Sequence, residues 1–286
     1  MEQTSMTITE LETSLNSFSH SERTRAVTAL AALALQDSVP PHGTKISLKP
    51  NPQIPPKYQG LPGAATEIAN MHCHSFFSYN AYGYSPTGLA WLAKKQGCAL
   101  MGIVDFDVLD GVDEFLDACI TSAVRGSAAL ETRVYIPEFA TREINSPGEP
   151  GVYYTMGIGF TSSLASTAGA ATLADMRKRS EVRNRVMLDR INAYLSPAMI
   201  DYERDVLPLT PSGNATERHM LAAYISAAAK IFTDTIPFWA EKLGLAHEQV
   251  RGMSPTPMGE MPQFRDSPKF QNTLRAKVMK RGGVGY

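Results

Sequence analysis

The stretch Ile68-Ala69-Asn70-Met71-His72-Cys73-His74, followed further along by Gly102-Ile103-Val104-Asp105-Phe106-Asp107, decides how this chain is read. Ile68 to Met71 is a short apolar run that ends in two histidines. Leu100 to Val104 is a second such run, ending in acidic residues, and between the two Pro86 to Gln96 has helical spacing. Beyond them Val112 to Val124 reads as a helix, and Thr132 to Ile136, Ala140 to Ile144 and Val152 to Phe160 read as strands. Strands and helices alternating at this spacing predict βα units around a parallel sheet or barrel.

On a strand, residues two apart point to the same face, so His72 and His74 can reach one ion while Cys73 points the other way, toward the core. Neutral imidazole is a ligand for zinc, iron and nickel, and for manganese in mixed oxygen and nitrogen sites. The carboxyl ends of strands in a parallel barrel are where sites are built, and both histidines sit at such an end. His20, His42 and His247 lie outside this constellation.

Outward from this block, residues 1 to 37 read as a helical arm with Ser19 or Ser21 as a cap for its second helix. Val39 to Gly63 holds seven prolines and three glycines and reads as an extended connector, which puts a boundary near residue 65: an arm and connector over 1–64 and a barrel domain over 65–286. From Leu173 onward the pattern is mostly helical, with Met176 to Leu195 and His219 to Leu243 the longest segments. The final Arg281-Gly282-Gly283-Val284-Gly285-Tyr286 reads as the run into another strand, as if the chain were cut from a longer one.

Composition narrows the partners. The 286 residues carry 27 Lys+Arg against 28 Asp+Glu, a formal net charge of −1, so there is no broad cationic footprint for nucleic acid. With 43% hydrophobic and 19% charged residues the chain is ordinary for a folded protein. Its apolar run Ala26 to Leu35 is shorter than the roughly 20 residues a bilayer needs, and it follows Glu10, Glu12, Glu22 and Arg25 rather than a basic leader. Three cysteines cannot all pair, which fits a reducing, cytoplasmic setting.

Taken together, His72-Cys73-His74, Ser85-Pro86 at a helix start, and the strand ending Val104-Asp105-Phe106-Asp107 with Gly111 after it resemble the beginning of the PHP (polymerase and histidinol phosphatase) family of metal-dependent phosphoesterases. Ala140-Thr141-Arg142-Glu143-Ile144 resembles the strand that carries the family's glutamate, and Gly213 to His219 resembles the segment that presents a later histidine at a helix start. The resemblance covers roughly residues 67 to 230. It departs from the family at Phe106, where the family has a histidine, near Tyr79 or Asn80, near Tyr153 or Tyr154, and in the missing final Asp-x-His.

The resemblance implies an α/β chain with a distorted (β/α)7-type TIM-like barrel, a helical N-terminal arm and a helical C-terminal segment. It implies His72, His74, Glu143 and His219 as metal ligands, with Glu138 a rival to Glu143 and Asp105 or Asp107 nearby. One or two divalent ions (Mn, Fe or Zn) would then generate a metal-bound hydroxide as nucleophile. Asp105, Arg142 and Arg218 are the candidate catalytic groups, the two arginines through charge-assisted hydrogen bonds to phosphate oxygens. The expected activity is hydrolysis of a small phosphate ester or a nucleotide end; the alternative is a degenerate domain of the same fold that acts as a binding or scaffold module.

Overall fold

The computed structural model describes residues 6–37, 68–80, 82–253 and 268–286. The expected connector Val39 to Gly63 and the boundary near residue 65 lie outside the described residues. The described residues fall into two compact units, the first within Met1–Ser75, Tyr84–Thr132 and Thr155–Leu164, the second within Phe76–Gly83, Arg133–Tyr154 and Ala165–Tyr286. No helix among the described residues is long and apolar enough to cross a membrane.

The strands form a sheet of order β1-β2-β3-β4, with β1 Ala69–Cys73, β2 Leu100–Phe106, β3 Arg125–Tyr135 and β4 Val152–Phe160; the first unit holds β1, β2, β3 up to Thr132 and β4 from Thr155. β1 and β2 pair in parallel, as do β2 and β3. The helices α3 (Pro86–Gln96) and α4 (Val112–Ser122) are the crossovers that parallel neighbours require. Ser85 caps α3 by accepting the Gly88 N–H at 2.8 Å, and Pro86 takes the first turn, where its missing N–H costs nothing. β2 carries the apolar run Leu100 to Val104 ahead of Asp105, and Met101 to Val104 are all buried, as in a strand covered on both faces. Gly102 is required there: a Cβ would lie 2.9 Å from the Cα of Met71 on the neighbouring strand. The arm supplies α1 (Ile8–Ser14), opened by a Thr7/Glu10 capping box, and α2 (His20–Asp37), whose Ala26, Val27 and Leu30 cluster with Leu11, Leu15 and Trp91.

The second unit is helical: α5 (Thr167–Leu195), α6 (Glu217–Ile231), α7 (Ile236–Leu243), α8 (His247–Arg251) and α9 (Pro268–Val278). Ile191, Leu195, Met220, Leu221, Tyr224 and Leu274 form the centre of its core. Each fully buried aliphatic side chain there contributes about 1.5–3 kcal/mol of transfer free energy. The Tyr224 hydroxyl donates to Asn192 Oδ1 at 3.0 Å, so the largest buried ring keeps a polar partner.

The segment His219 to Leu243 divides, as a proline at 237 implies: α6 ends at Ile231 and Pro237 occupies the first turn of α7. Several other expectations change. Ala140 to Ile144 is not a strand. Pro137–Phe139 forms a 3-10 turn and the chain continues in turns and bends, closed by Gly151 N donating to Arg142 O at 2.9 Å. β3 starts earlier than the apolar pattern indicated, at Arg125. Arg281 to Tyr286 lies in turns and bends, with Gly283 N donating to Lys280 O at 2.7 Å. Among the described residues the sheet has four strands in linear order, and no further strand carries it round into a barrel.

Candidate metal centre

The parallel register builds the site. Cys73 lies level with Ile103, and Phe106 with Glu131, so strand alternation puts His74, Phe106 and Glu131 on one face near the carboxyl ends of β1, β2 and β3. Between Asn70 and Cys73 the β1–β2 register slips by one residue, and the Asn70 side chain accepts the His72 N–H at 3.1 Å across this irregularity. A bulge of this kind re-aims a side chain at the end of a strand.

His72 Nε2 and His74 Nε2 both point at one oxygen, Glu131 Oε2, at 3.3 and 3.4 Å. Among the described residues these three are the one group of three or more His, Cys, Asp or Glu side chains whose ligand atoms all lie within 4.8 Å of one another. The spacing is long for N–H···O hydrogen bonds, which centre near about 2.9–3.0 Å. It matches the edge of a tetrahedron of ligands held about 2.0–2.1 Å from a zinc-sized ion, about 3.3–3.4 Å. Two imidazoles and a carboxylate suit Zn, Fe or Mn, so the donor set and its spacing fit a divalent metal.

The surroundings hold the ligands in place. Glu131 is 7% exposed and His74 is half-buried, and burial pushes the His74 imidazole below its ordinary pKa despite the Glu131 carboxylate beside it. The Phe106 ring stacks on His74 with centroids 4.8 Å apart and planes 11° from parallel, which fixes the imidazole orientation from the side where the resembled family has another histidine. Buried Asp105 accepts the Ser75 N–H at 2.7 Å and the Ser75 hydroxyl at 2.6 Å, and so anchors the residue that follows His74. Its geometry is that of a positioning residue.

The other expected site residues stand elsewhere. Glu143 and Arg142 are exposed in the loop after the 3-10 turn, with the Arg142 guanidinium 5.8 Å over the Phe139 ring. Neither Glu143 nor His219 belongs to the three-ligand group. Arg218 is half-buried and donates to Gln271 Oε1 at 3.3 Å and to Asn272. His219 begins α6 as expected, yet its Nδ1 accepts the Thr216 N–H at 3.1 Å, and its ring meets Tyr79 edge-on at 5.1 Å.

Glu131 was not legible as a ligand. It ends the run Ser127-Ala128-Ala129-Leu130, and the one signal available was a carboxylate closing a short apolar segment two places after Ala129.

His219 makes a separate prediction. Burial pushes its pKa down to about 3, so the folded chain holds it neutral while the unfolded chain takes up a proton near about pH 6.5. The folded value is the lower one, so the stability tied to this imidazole is fully present above about pH 6.5 and is lost as pH falls toward 3. His219→Gln keeps an acceptor at the same capping position and removes the titration. Its melting temperature should fall less between neutral pH and pH 4 than that of the unaltered chain, and parallel curves would show that His219 is not the titrating group.

No protein-family model matches this chain. No curated protein matches it. Among solved structures it is similar to an amidohydrolase from Chromobacterium violaceum with bound sulfate and no metal, at TM-score 0.49 and 16% identity over 76% of this chain and 57% of that one. It is also similar to a protein from Bifidobacterium adolescentis described as a metal-dependent phosphoesterase, at TM-score 0.46 and 18% identity over 62% of this chain and 56% of that one. This chain thus spans little more than half the length of either. At these scores neither likeness assigns an activity to it.

Proposed function

We propose that this chain is a metal-dependent hydrolase of small phosphate esters or nucleotide ends, holding a divalent ion with His72, His74 and Glu131. The observation that carries the metal is the convergence of two imidazole Nε2 atoms on the buried Glu131 Oε2 at 3.3 and 3.4 Å. The phosphate-ester class rests on the resemblance of the sequence to PHP phosphoesterases. Three protein ligands leave positions open for water and substrate, the arrangement that separates catalytic from structural sites. A bound ion would lower the pKa of a water and offset phosphate charge. The chain's own residues do the positioning: the Asn70 side chain holds the His72 backbone N–H, Phe106 holds the plane of His74, and Asp105 fixes the backbone after it.

A second reading keeps the metal and drops the chemistry. Phe106 fills with an apolar ring the place where the resembled family has a ligand, which favours a single ion in a binding module. Metal analysis and an activity assay separate the two. The purified chain should carry about one Mn, Fe or Zn ion and the His72→Ala/His74→Ala variant none; equal metal in both would remove the hydrolase. Metal-loaded protein should release phosphate from an aryl phosphate in proportion to its metal content. Bound metal with no release selects the binding module.

A further inference from the structure

The second unit contains a cavity of about 450 Å³ whose chemistry differs from that of the His72–His74–Glu131 group. One wall is a single face of α5: Arg183, Val186, Met187 and Arg190 recur at the helical spacing that aligns side chains. Glu217, in the first turn of α6, and Lys280, just past α9, close it, together with Arg133 and Glu149.

The charges do not balance. Four cationic side chains line the cavity against two carboxylates, and one of the four, Arg190, donates to Tyr286 O at 2.9 Å. Glu149 is paired with Arg133 at 2.6 Å. Glu217 is 8% exposed and its charge is already matched by Arg275, whose Nε lies 2.6 Å away and which does not itself line the cavity. Two further cations face the same carboxylate from longer range, Lys280 at 3.7 Å and Arg183 at 3.9 Å. These distances are too long for full hydrogen bonds. Burial lowers the Lys280 pKa, Arg275 and Arg133 lower it further, and the nearby carboxylates do not restore it. Clustered cations of this kind, partly shielded from water, are stabilised by an added anion. Between the Arg183 and Arg190 ends lies the apolar surface of Val186 and Met187, and the volume is within the range of small-molecule sites, about 300–1,000 Å³.

We propose that this cavity is a second ligand site that takes the phosphate group of a small organic molecule between Arg183 and Lys280, with the molecule's apolar body lying along Val186 and Met187. The Arg183 guanidinium offers a planar fork to a tetrahedral oxyanion, and the ammonium adds a point charge. The site needs no metal and stands whether or not the hydrolase reading holds.

Calorimetric titration of the full chain tests it, in chelator and low salt, with phenylphosphonate, which cannot be hydrolysed as an ester, and with inorganic phosphate and benzoate as comparisons. Phenylphosphonate should saturate one site, inorganic phosphate should bind it more weakly for want of the apolar body, and benzoate at least about tenfold more weakly than phenylphosphonate. Arg183→Met/Lys280→Met should weaken phenylphosphonate by at least about tenfold, with an unchanged thermal melt as the control for folding. Should that pair fail to fold, Arg183→Gln alone, at an exposed position, should still weaken binding. The His72→Ala/His74→Ala variant should bind as the unaltered chain does. No saturable binding up to about 10 mM ligand, or binding lost in the histidine variant and kept in the Arg183/Lys280 variant, would overturn the inference. Benzoate binding as tightly as phenylphosphonate would overturn the phosphate assignment.

Discussion

Glu131→Gln should abolish the proposed binding of a divalent metal and the proposed phosphate release, while Glu143→Gln should change neither. Glutamine keeps the shape of the side chain on β3 and removes the only negative charge among the three ligands. Two neutral imidazoles remain, and an ion that had gained a carboxylate must be held by them alone. Loss of an outer-shell partner already costs up to about 100-fold in metal affinity, so loss of a direct ligand should exceed about 100-fold. Hydrolysis of an aryl phosphate at limiting metal should fall by a similar factor. Glu143 is exposed in a loop, where a substitution shifts energies by no more than about 0.5 kcal/mol, or roughly twofold in binding. Competition against a chromogenic zinc chelator reads both affinities, with a melt in chelator to check that Glu131→Gln folds. Metal retained by Glu131→Gln and lost by Glu143→Gln would return the carboxylate role to the loop and refute the three-ligand centre.

The contrast between those two glutamates shows what the sequence makes legible. His72 and His74 were readable because period-two spacing at the end of an apolar run is a local property, and the register of β1 against β2 carries it into three dimensions. The crossover helix Pro86–Gln96 and the strand Val152–Phe160 were equally local, the first marked by Ser85-Pro86 at its start. β3 was not. Its first half, Arg125-Gly126-Ser127-Ala128-Ala129, is poor in the branched and aromatic residues that mark strands, so the expected strand began only at Thr132 and left Glu131 in a linker. The small residues are there for a tertiary reason: a Cβ on Gly126 would lie 2.9 Å from Cys119 Sγ on α4. Packing between a helix and a strand chose them, and periodicity holds no record of that choice. Ala140 to Ile144 misled in the opposite way, because alternation there imitates a strand in a segment that Pro137 starts as a turn. His219 was found at a helix start, but its burial and its use as a cap depend on Thr216 and Tyr79 together.

The arm, which holds none of the proposed chemistry, carries the largest single effect expected on stability. Arg23 on α2 and Glu114 on α4 are 91 residues apart in sequence and both buried, at 3% and 7% exposure. Arg23 Nε donates to Glu114 Oε1 at 2.8 Å, its Nη2 donates to Oε2, and its Nη1 donates to the Ser17 carbonyl at 2.6 Å. Thr87 adds its N–H at 3.1 Å and its hydroxyl at 2.8 Å to the same carboxylate, tying in the first turn of α3. A fork-to-fork pair in which both partners make further hydrogen bonds is the case in which burial of two charges is tolerated. Removing one partner is not tolerated: Glu114→Ala leaves a buried guanidinium and two Thr87 donors without their acceptor, and should cost about 3–5 kcal/mol in urea denaturation. The double variant Arg23→Leu/Glu114→Leu should be more stable than Glu114→Ala, because neither charge is then buried alone. Hydrogen exchange should show the loss first in α1 and α2, since they reach the first unit's sheet layer through this pair and through the Ser85 hydroxyl bond to the Leu15 carbonyl. If Glu114→Ala costs less than about 1 kcal/mol, the pair is worth no more than a surface ion pair, and the apolar cluster of Leu11, Leu15, Ala26 and Trp91 holds the arm by itself.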